Sequence, residues 1–289
     1  MDLTFKEFLR SGKDQLTAAG YPEVDAEILL AHVLGISRMD LHNPVRVESA
    51  INAIGDTVVI EETFWKLLDR RSAHEPLQYL TGTSYFRYLE LQVGPGVLVP
   101  RPESELLVEA ALTHIEKLTG AVSVVDLGSG SGALALAIAT EAPHTHVIAV
   151  EKSPEAIYWL KENVSFIDEK VRILESDVAT ALEGVKCDVV IANPPYIPDS
   201  QELPRDVADH EPAVALFGGM DSGGVDGMKT PRLFISTASR LLKSGGCLAI
   251  EHHEEQGEAI ANVLSDDFID ILLHQDLTGR PRFTTAVRR

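Results

Sequence analysis

The sequence predicts an α/β protein, in which a mostly parallel β-sheet carries helices on both faces and a small all-helical domain precedes it. From Ala121 onward, apolar runs such as "AVSVVDLG", "THVIAVE" and "CDVVIAN" alternate with helix-length segments such as "ALALAIATEA" and "PEAIYWLKENV". That alternation builds parallel sheets with crossover helices. Before about Arg71 the apolar positions recur at helical spacing instead. Between the two regions, "LQYLTGTSYFRYLELQVGPGVLVP" is rich in Tyr, Phe, Val and Leu, with Gly82 and Gly94 as turn points, which is the texture of paired strands.

The helical part places Phe5, Phe8, Leu9 and Leu16 on one face. Val24, Ile28, Leu29 and Val33 follow after Pro22, a residue suited to a first helical turn. Gly20, Gly35, Pro44 and Gly55 punctuate the run that begins at Leu3, and "TVVIEETFWKLLDRRSA" reads as its last long helix. The expected organisation is a helical domain over 1–76, a β-hairpin linker over 77–99 and an α/β domain over 100–289. The last opens with "RPESELLVEAALTHIEKL", where Pro102 suits a first helical turn and Glu103 and Glu105 sit near the positive end of the helix dipole. The strands "VRILESD", "CLAIEHH", "FIDILLHQD" and "RFTTAVR" complete the sheet, and no internal repeat interrupts it.

A length of 289 residues accommodates two domains, and 45% hydrophobic with 24% charged residues is ordinary for a globular chain. No run of about 18 apolar residues occurs, and the N-terminus lacks a basic stretch followed by an apolar one. A cytoplasmic protein with no membrane attachment is expected. The net charge is -19, and residues 1–80 carry 8 Lys/Arg against 13 Asp/Glu, so neither part is basic. Affinity for nucleic acid through phosphate neutralisation needs a basic face, so direct nucleic-acid binding is not expected. Cys187 and Cys247 each begin an apolar run and read as small buried hydrophobes. His252 and His253 are adjacent, which on a strand points them to opposite faces, so no metal site is expected.

Two loops carry the chemistry. "VVDLGSGSGALALAIA" places Gly128, Gly130 and Gly132 between a strand and a helix, with Ser129 and Ser131 between them. Glycine there permits positive φ and close approach of backbone to a ligand. A phosphate, a dinucleotide and S-adenosyl-L-methionine are all candidates. No lysine follows to make a P-loop, and the spacing is GxGxG rather than GxGxxG. Asp126, two residues ahead of the first glycine, suits a ligand bearing a sulfonium and an ammonium better than a pyrophosphate. Glu151 ends the next strand, where a carboxylate can accept hydrogen bonds from two ribose hydroxyls. S-adenosyl-L-methionine is therefore the favoured cofactor.

The second loop is "IANPPYIP", Ile191 to Pro198. Proline has no N–H to give a sheet and pushes the preceding residue toward an extended conformation, so Asn193-Pro194-Pro195 leaves the strand as a stiff, pre-shaped loop. An amide or aromatic amine nitrogen has a delocalised lone pair and needs help to attack a methyl group. The Asn193 side-chain carbonyl and the Pro194 main-chain carbonyl can hold both hydrogens of an NH2 group and offset its developing positive charge. Pro195 fixes the carbonyl's direction, and Tyr196 offers a flat face to a planar group.

The set "DLGSGSGALAL", Glu151 and "NPPY", with "PRPESE" at Pro100 to Glu105 and "GGVDGM" at Gly223 to Met228, resembles the HemK/PrmC family of protein-glutamine methyltransferases over the whole chain. The resemblance implies a Rossmann-like class I methyltransferase domain with a seven-stranded sheet. It also implies methylation of the N5 nitrogen of the glutamine in the Gly-Gly-Gln motif of peptide chain release factors, with S-adenosyl-L-homocysteine as the second product. By motif, Gly128 to Gly132 and Glu151 would hold the cofactor, Asn193 would touch both methyl donor and amide, and Pro194 to Tyr196 would line the glutamine slot. The helical domain would grip the release factor, and a monomer is expected. Arg101 is placed near the cofactor or substrate mouth, or in a surface or inter-domain ion pair. Asp177 is placed on the adenine amine or in a cap of the following segment. Val178 stands where the family often has an aromatic residue against the adenine. A ribosomal-protein glutamine and a nucleic-acid exocyclic amine are the alternative acceptors.

Overall fold

The computed structural model describes residues 5–168, 170–217 and 226–289, and its chain divides into two units, Met1–Gly82 with Pro204–His210, and Thr83–Leu203 with Glu211–Arg289. In the first unit, α1 (Phe5–Ala18), α2 (Glu23–Leu34), α3 (Pro44–Ile54), α4 (Thr57–Ser72) and the short α5 (Leu77–Thr81) follow one another, with a 3-10 turn at Arg38–His42. The starts are capped where the sequence offers a side-chain acceptor: Val45 N–H donates to Asn43 Oδ1 at 3.1 Å, and Val58 N–H to Asp56 Oδ1 at 2.9 Å. Leu16, Leu29, Leu30, Phe64 and Leu68 are fully buried in a core of their own. At its margin, Arg71 pairs with Asp25 at 2.9 Å and lies over the Tyr21 ring.

The stretch expected to be a hairpin from Leu77 starts differently. Leu77–Thr81 is a helical turn, because Leu80 packs into the helical core and Gly82, at a φ of 76°, ends the turn. The hairpin is shorter: β1 (Thr83–Phe86) pairs antiparallel with β2 (Leu89–Gln92), and it is grouped with the second unit. Pro102 lies just ahead of α6 (Ser104–Ile115) rather than in its first turn.

The second unit continues with β3 (Val122–Leu127), α7 (Ala133–Glu141), β4 (Thr145–Glu151), α8 (Pro154–Ile167), β5 (Arg172–Glu175) and β6 (Cys187–Ala192). After the short α9 (Arg205–Ala208) come α10 (Ala213–Leu216), α11 (Lys229–Leu241), β7 (Leu242–Glu251), α12 (Gly257–Leu264), β8 (Phe268–Gln275) and β9 (Pro281–Arg288). The sheet order is β5-β4-β3-β6-β7-β9-β8. Its first five strands run parallel, while β9 lies antiparallel to β7 and to β8. β3 stands between β4 and β6, which is the point where strand order reverses and a crevice opens at the carboxyl ends. The methyltransferase-type α/β fold is thus the one the sequence predicts. Cys187 and Cys247 are buried in this sheet, and burial pushes both thiols up to about 12. Among the described residues no helix is long and apolar enough to cross a membrane.

Phe64 packs against Phe8 at a centroid distance of 4.8 Å and against Trp65. Phe64→Ala is expected to destabilise the helical unit by about 3–5 kcal/mol, read as a lower urea midpoint by circular dichroism.

Candidate active site

A cavity of about 470 Å³ opens where the strand ends converge. Gly128, Ser129, Gly130 and Ser131 line it from the loop after β3, Glu151 from the end of β4, and Asp177 and Val178 from the segment after β5. Asn193 and Pro195 line it from the loop after β6, and Arg101 from the segment before α6. Residues spread over more than ninety positions of sequence meet here because parallel strands deliver all their carboxyl ends to one edge.

The glycine loop is shaped by its neighbours. Gly128 N–H and Ser129 N–H both donate to Val150 O, at 2.9 and 3.0 Å. Gly130 N–H donates to Glu151 Oε2 at 2.9 Å, and Glu151 Oε1 accepts from Lys152 N and Ser153 N. Glu151 therefore braces the loop as well as facing the cavity. Gly130 has a φ of 55° with no atom closer than 3.8 Å to where a Cβ would stand, so its backbone is open to a ligand. Gly132, at a φ of 87°, serves another purpose: a Cβ there would come within 2.6 Å of Leu160, so its absence lets the loop pass close to that side chain of α8. Gly132 does not line the cavity.

Asp126 does not line it either. The sequence reading placed its carboxylate against a cationic ligand, but the side chain is fully buried beneath the loop. Its Oδ2 accepts from Ala135 N–H at 3.2 Å, near the start of α7, and among the described residues its Oδ1 has no hydrogen-bond partner. Burial pushes the carboxyl up to about 7, with the Ser129 hydroxyl and the Ala135 N–H opposing the rise and the Glu151 charge adding to it.

The loop after β6 is held rather than merely stiff. Pro194 is buried, and Tyr196 turns its hydroxyl away from solvent to donate to Glu251 Oε1 at 3.0 Å. Neither is among the cavity-lining residues. Gln256 Nε2 donates to the carbonyls of Tyr196 and Asp226, at 2.9 and 2.8 Å. Gly227, with a φ of 65°, sits so close to the Tyr196 carbonyl that a side chain would collide with it. This explains part of the "GGVDGM" segment; Gly223 to Val225 lie outside the described residues. Arg101 lines the cavity, and its Nη2 donates to both Glu211 oxygens at 2.7 and 2.8 Å. Asp177 caps the segment after it by accepting from Ala179 N–H at 2.9 Å, and it also faces the cavity.

Sequence reasoning missed three contributors. Phe234 on α11 lines the cavity, and its ring lies 3.2 Å from a Cβ built on Gly128. It shares an apolar cluster with Val178, whose carbonyl accepts from Thr237 Oγ1 on the same helix at 3.2 Å. An aromatic wall thus comes from α11, where amphipathic spacing signals only a packed helix. Asn163 on α8 is fully buried and joins the hairpin to the glycine loop, accepting from Gln92 N–H and donating to Gln92 O and Ser131 O. Ser104, from "PRPESE", accepts from Asn193 Nδ2 at 3.2 Å.

Comparison with known proteins identifies the family. Residues 102–209 match the methyltransferase small domain, and residues 7–82 match the PrmC N-terminal domain. A release factor glutamine methyltransferase of Streptomyces coelicolor is 39% identical over 92% of this chain and 90% of its own length. One from Mycolicibacterium smegmatis is 41% identical over 94% of each chain. The chain belongs to the release factor glutamine methyltransferase family. The Escherichia coli member is 37% identical over 89% of both chains. Membership covers both the helical part and the α/β part, as the motif set implied.

Asp126 gives the site a pH signature. Its carboxyl rises from an ordinary 3.8 to about 7 on folding, so the folded protein holds a proton that the unfolded chain releases. Stability from this group is fully present below about pH 4 and is lost as pH rises to about 7, by roughly 4 kcal/mol at about 1.4 kcal/mol per unit. Asp126→Asn, which keeps an acceptor for Ala135, is expected to flatten this part of the profile and to be the more stable protein at pH 8. Urea unfolding of both proteins from pH 4.5 to 8 measures it, and parallel profiles would contradict it.

Proposed function

We propose that the protein transfers a methyl group from S-adenosyl-L-methionine to the side-chain N5 nitrogen of the glutamine in the Gly-Gly-Gln motif of peptide chain release factors, releasing S-adenosyl-L-homocysteine. The observation that carries the reading is that Asn193 lines the same cavity as the glycine loop and Glu151. An amide-holding residue and a cofactor-type loop therefore share one space. Family membership over about nine-tenths of the chain supports the same acceptor.

The residues present suit this cofactor. A volume of about 470 Å³ falls within the range of small-molecule sites, about 300–1,000 Å³. The main chain at Gly128 to Ser131 would lie against the amino-acid portion, Glu151 would accept from the ribose hydroxyls, and Asp177 and Val178 would flank the adenine with Phe234 behind. When bound, the sulfonium supplies an electrophilic methyl group. Asn193 Oδ1 and the Pro194 carbonyl would each accept one N–H of the glutamine amide, which aims the nitrogen lone pair and offsets its developing positive charge. Pro195 would form the wall of the slot that keeps the amide planar and water out, with Tyr196 bracing the loop behind it through Glu251. Once methyl transfer makes the nitrogen cationic, its proton is acidic enough for water to accept, so no side-chain base is needed. The helical unit is the part proposed to grip the release factor, and the enzyme is proposed to act as a cytoplasmic monomer.

The test is incubation with isotope-labelled methyl donor and a purified release factor, followed by peptide mass spectrometry. Label on the glutamine of the Gly-Gly-Gln tryptic peptide is expected. Label confined to a ribosomal protein, or to RNA or DNA, would replace this acceptor with that one. Asn193→Ala is expected to lower kcat about 10²–10³-fold, as loss of one transition-state hydrogen-bonding group does. Its cofactor affinity, measured by calorimetry, should change far less.

A further inference from the structure

Asn193 is useful as an acceptor only if its carboxamide presents Oδ1, and not Nδ2, to the substrate. We propose that Ser104 and Glu251 are positioning residues that set this orientation through a directed chain of hydrogen bonds, an inference that rests on the glutamine-methyltransferase reading above.

Ser104 is the first residue of α6 and Glu251 the last of β7, and both are buried, at 4% and 1% exposure. Ser104 Oγ donates to Glu251 Oε2 at 2.5 Å, and Asn193 Nδ2 donates to Ser104 Oγ at 3.2 Å. A serine hydroxyl has a single proton. With that proton given to a carboxylate, Oγ can only accept from Asn193, so the NH2 side of the carboxamide must face it. The reversed carboxamide would set Oδ1 against an oxygen with no proton to offer, a costly arrangement in a buried site. Oδ1 is thereby turned away from Ser104 and left as the acceptor. A carboxylate two hydrogen bonds away thus decides which end of Asn193 does the work.

The same carboxylate anchors the far end of the loop. Tyr196 Oη donates to Glu251 Oε1, so both oxygens of Glu251 are engaged and the segment Asn193 to Tyr196 is held at both ends. Burial pushes the Glu251 carboxyl above its ordinary range, and the two hydroxyl donors and the Arg282 guanidinium act against that rise. The serine of "PRPESE" also acquires a purpose that its sequence position did not reveal.

The experiment compares wild type, Ser104→Ala and Ser104→Thr, of which only the last keeps a hydroxyl. Ser104→Ala is expected to lower kcat on a release factor roughly 10–100-fold, the scale of a misplaced catalytic group, with KM and cofactor Kd little changed, and Ser104→Thr to recover most of it. Equal turnover in all three would overturn the proposal, as would Ala and Thr variants equally impaired. A readout independent of turnover is the Asn193 side-chain amide pair in 15N spectra, assigned by its disappearance in Asn193→Asp. Its solvent exchange should be slow in wild type and Ser104→Thr and fast in Ser104→Ala; identical exchange in all three would overturn the orientation argument. If wild type labels no release factor, the acceptor reading fails, and the exchange comparison still decides the role of Ser104.

Discussion

The position of β3 between two parallel neighbours is the constraint on which the site depends. Leu127 pairs with Val150 of β4 on one side and with Ala192 of β6 on the other. Those pairings set the glycine loop, Glu151 and Asn193 immediately beyond the same edge of the sheet. Val150 O takes two N–H groups of the glycine loop and Glu151 takes a third. The loop therefore owes its shape to the adjacent strand, and a shift of one residue in register would reverse which side chains face inward.

Three acidic residues at or near this edge do different work because their surroundings differ. Glu151 is satisfied by main-chain N–H groups and still faces the cavity. Asp126 lies under the loop, where burial favours its protonated form and Ala135 ties it to the start of α7. Glu251 is equally enclosed but receives two hydroxyl protons, which makes it the terminus of a hydrogen-bond chain rather than a ligand contact. Buried polar groups of this kind specify geometry because each must find its partners.

Much of the site was legible in advance. The glycines, Glu151, Asn193 and Pro195 stand at strand ends, and strand ends can be read from where an apolar run stops. Of these, Gly128, Gly130, Glu151, Asn193 and Pro195 line the cavity, as do Val178 and Arg101. Asp126, Pro194 and Tyr196 lie in these segments with side chains turned to packing and bracing, and Gly132 serves by having no side chain. A residue one position along a strand or turn faces the opposite way, and the sequence states adjacency without stating direction. The hairpin was placed six residues early for a similar reason: apolar composition at Leu77 to Leu80 suits a strand, but a neighbouring helical core recruited it.

By itself the sequence determined the order of elements, the parallel sheet, the two loops that carry chemistry and the family to which they belong. Each of these is encoded locally, in periodicity, glycine and proline placement, and short motifs. Only the tertiary structure decided that Phe234, Asn163, Ser104 and Glu251 belong to the site. Their contacts join segments up to 147 positions apart in sequence, and hydrogen bonds of that range depend on how α6, α8, α11 and β7 pack, which no local pattern records.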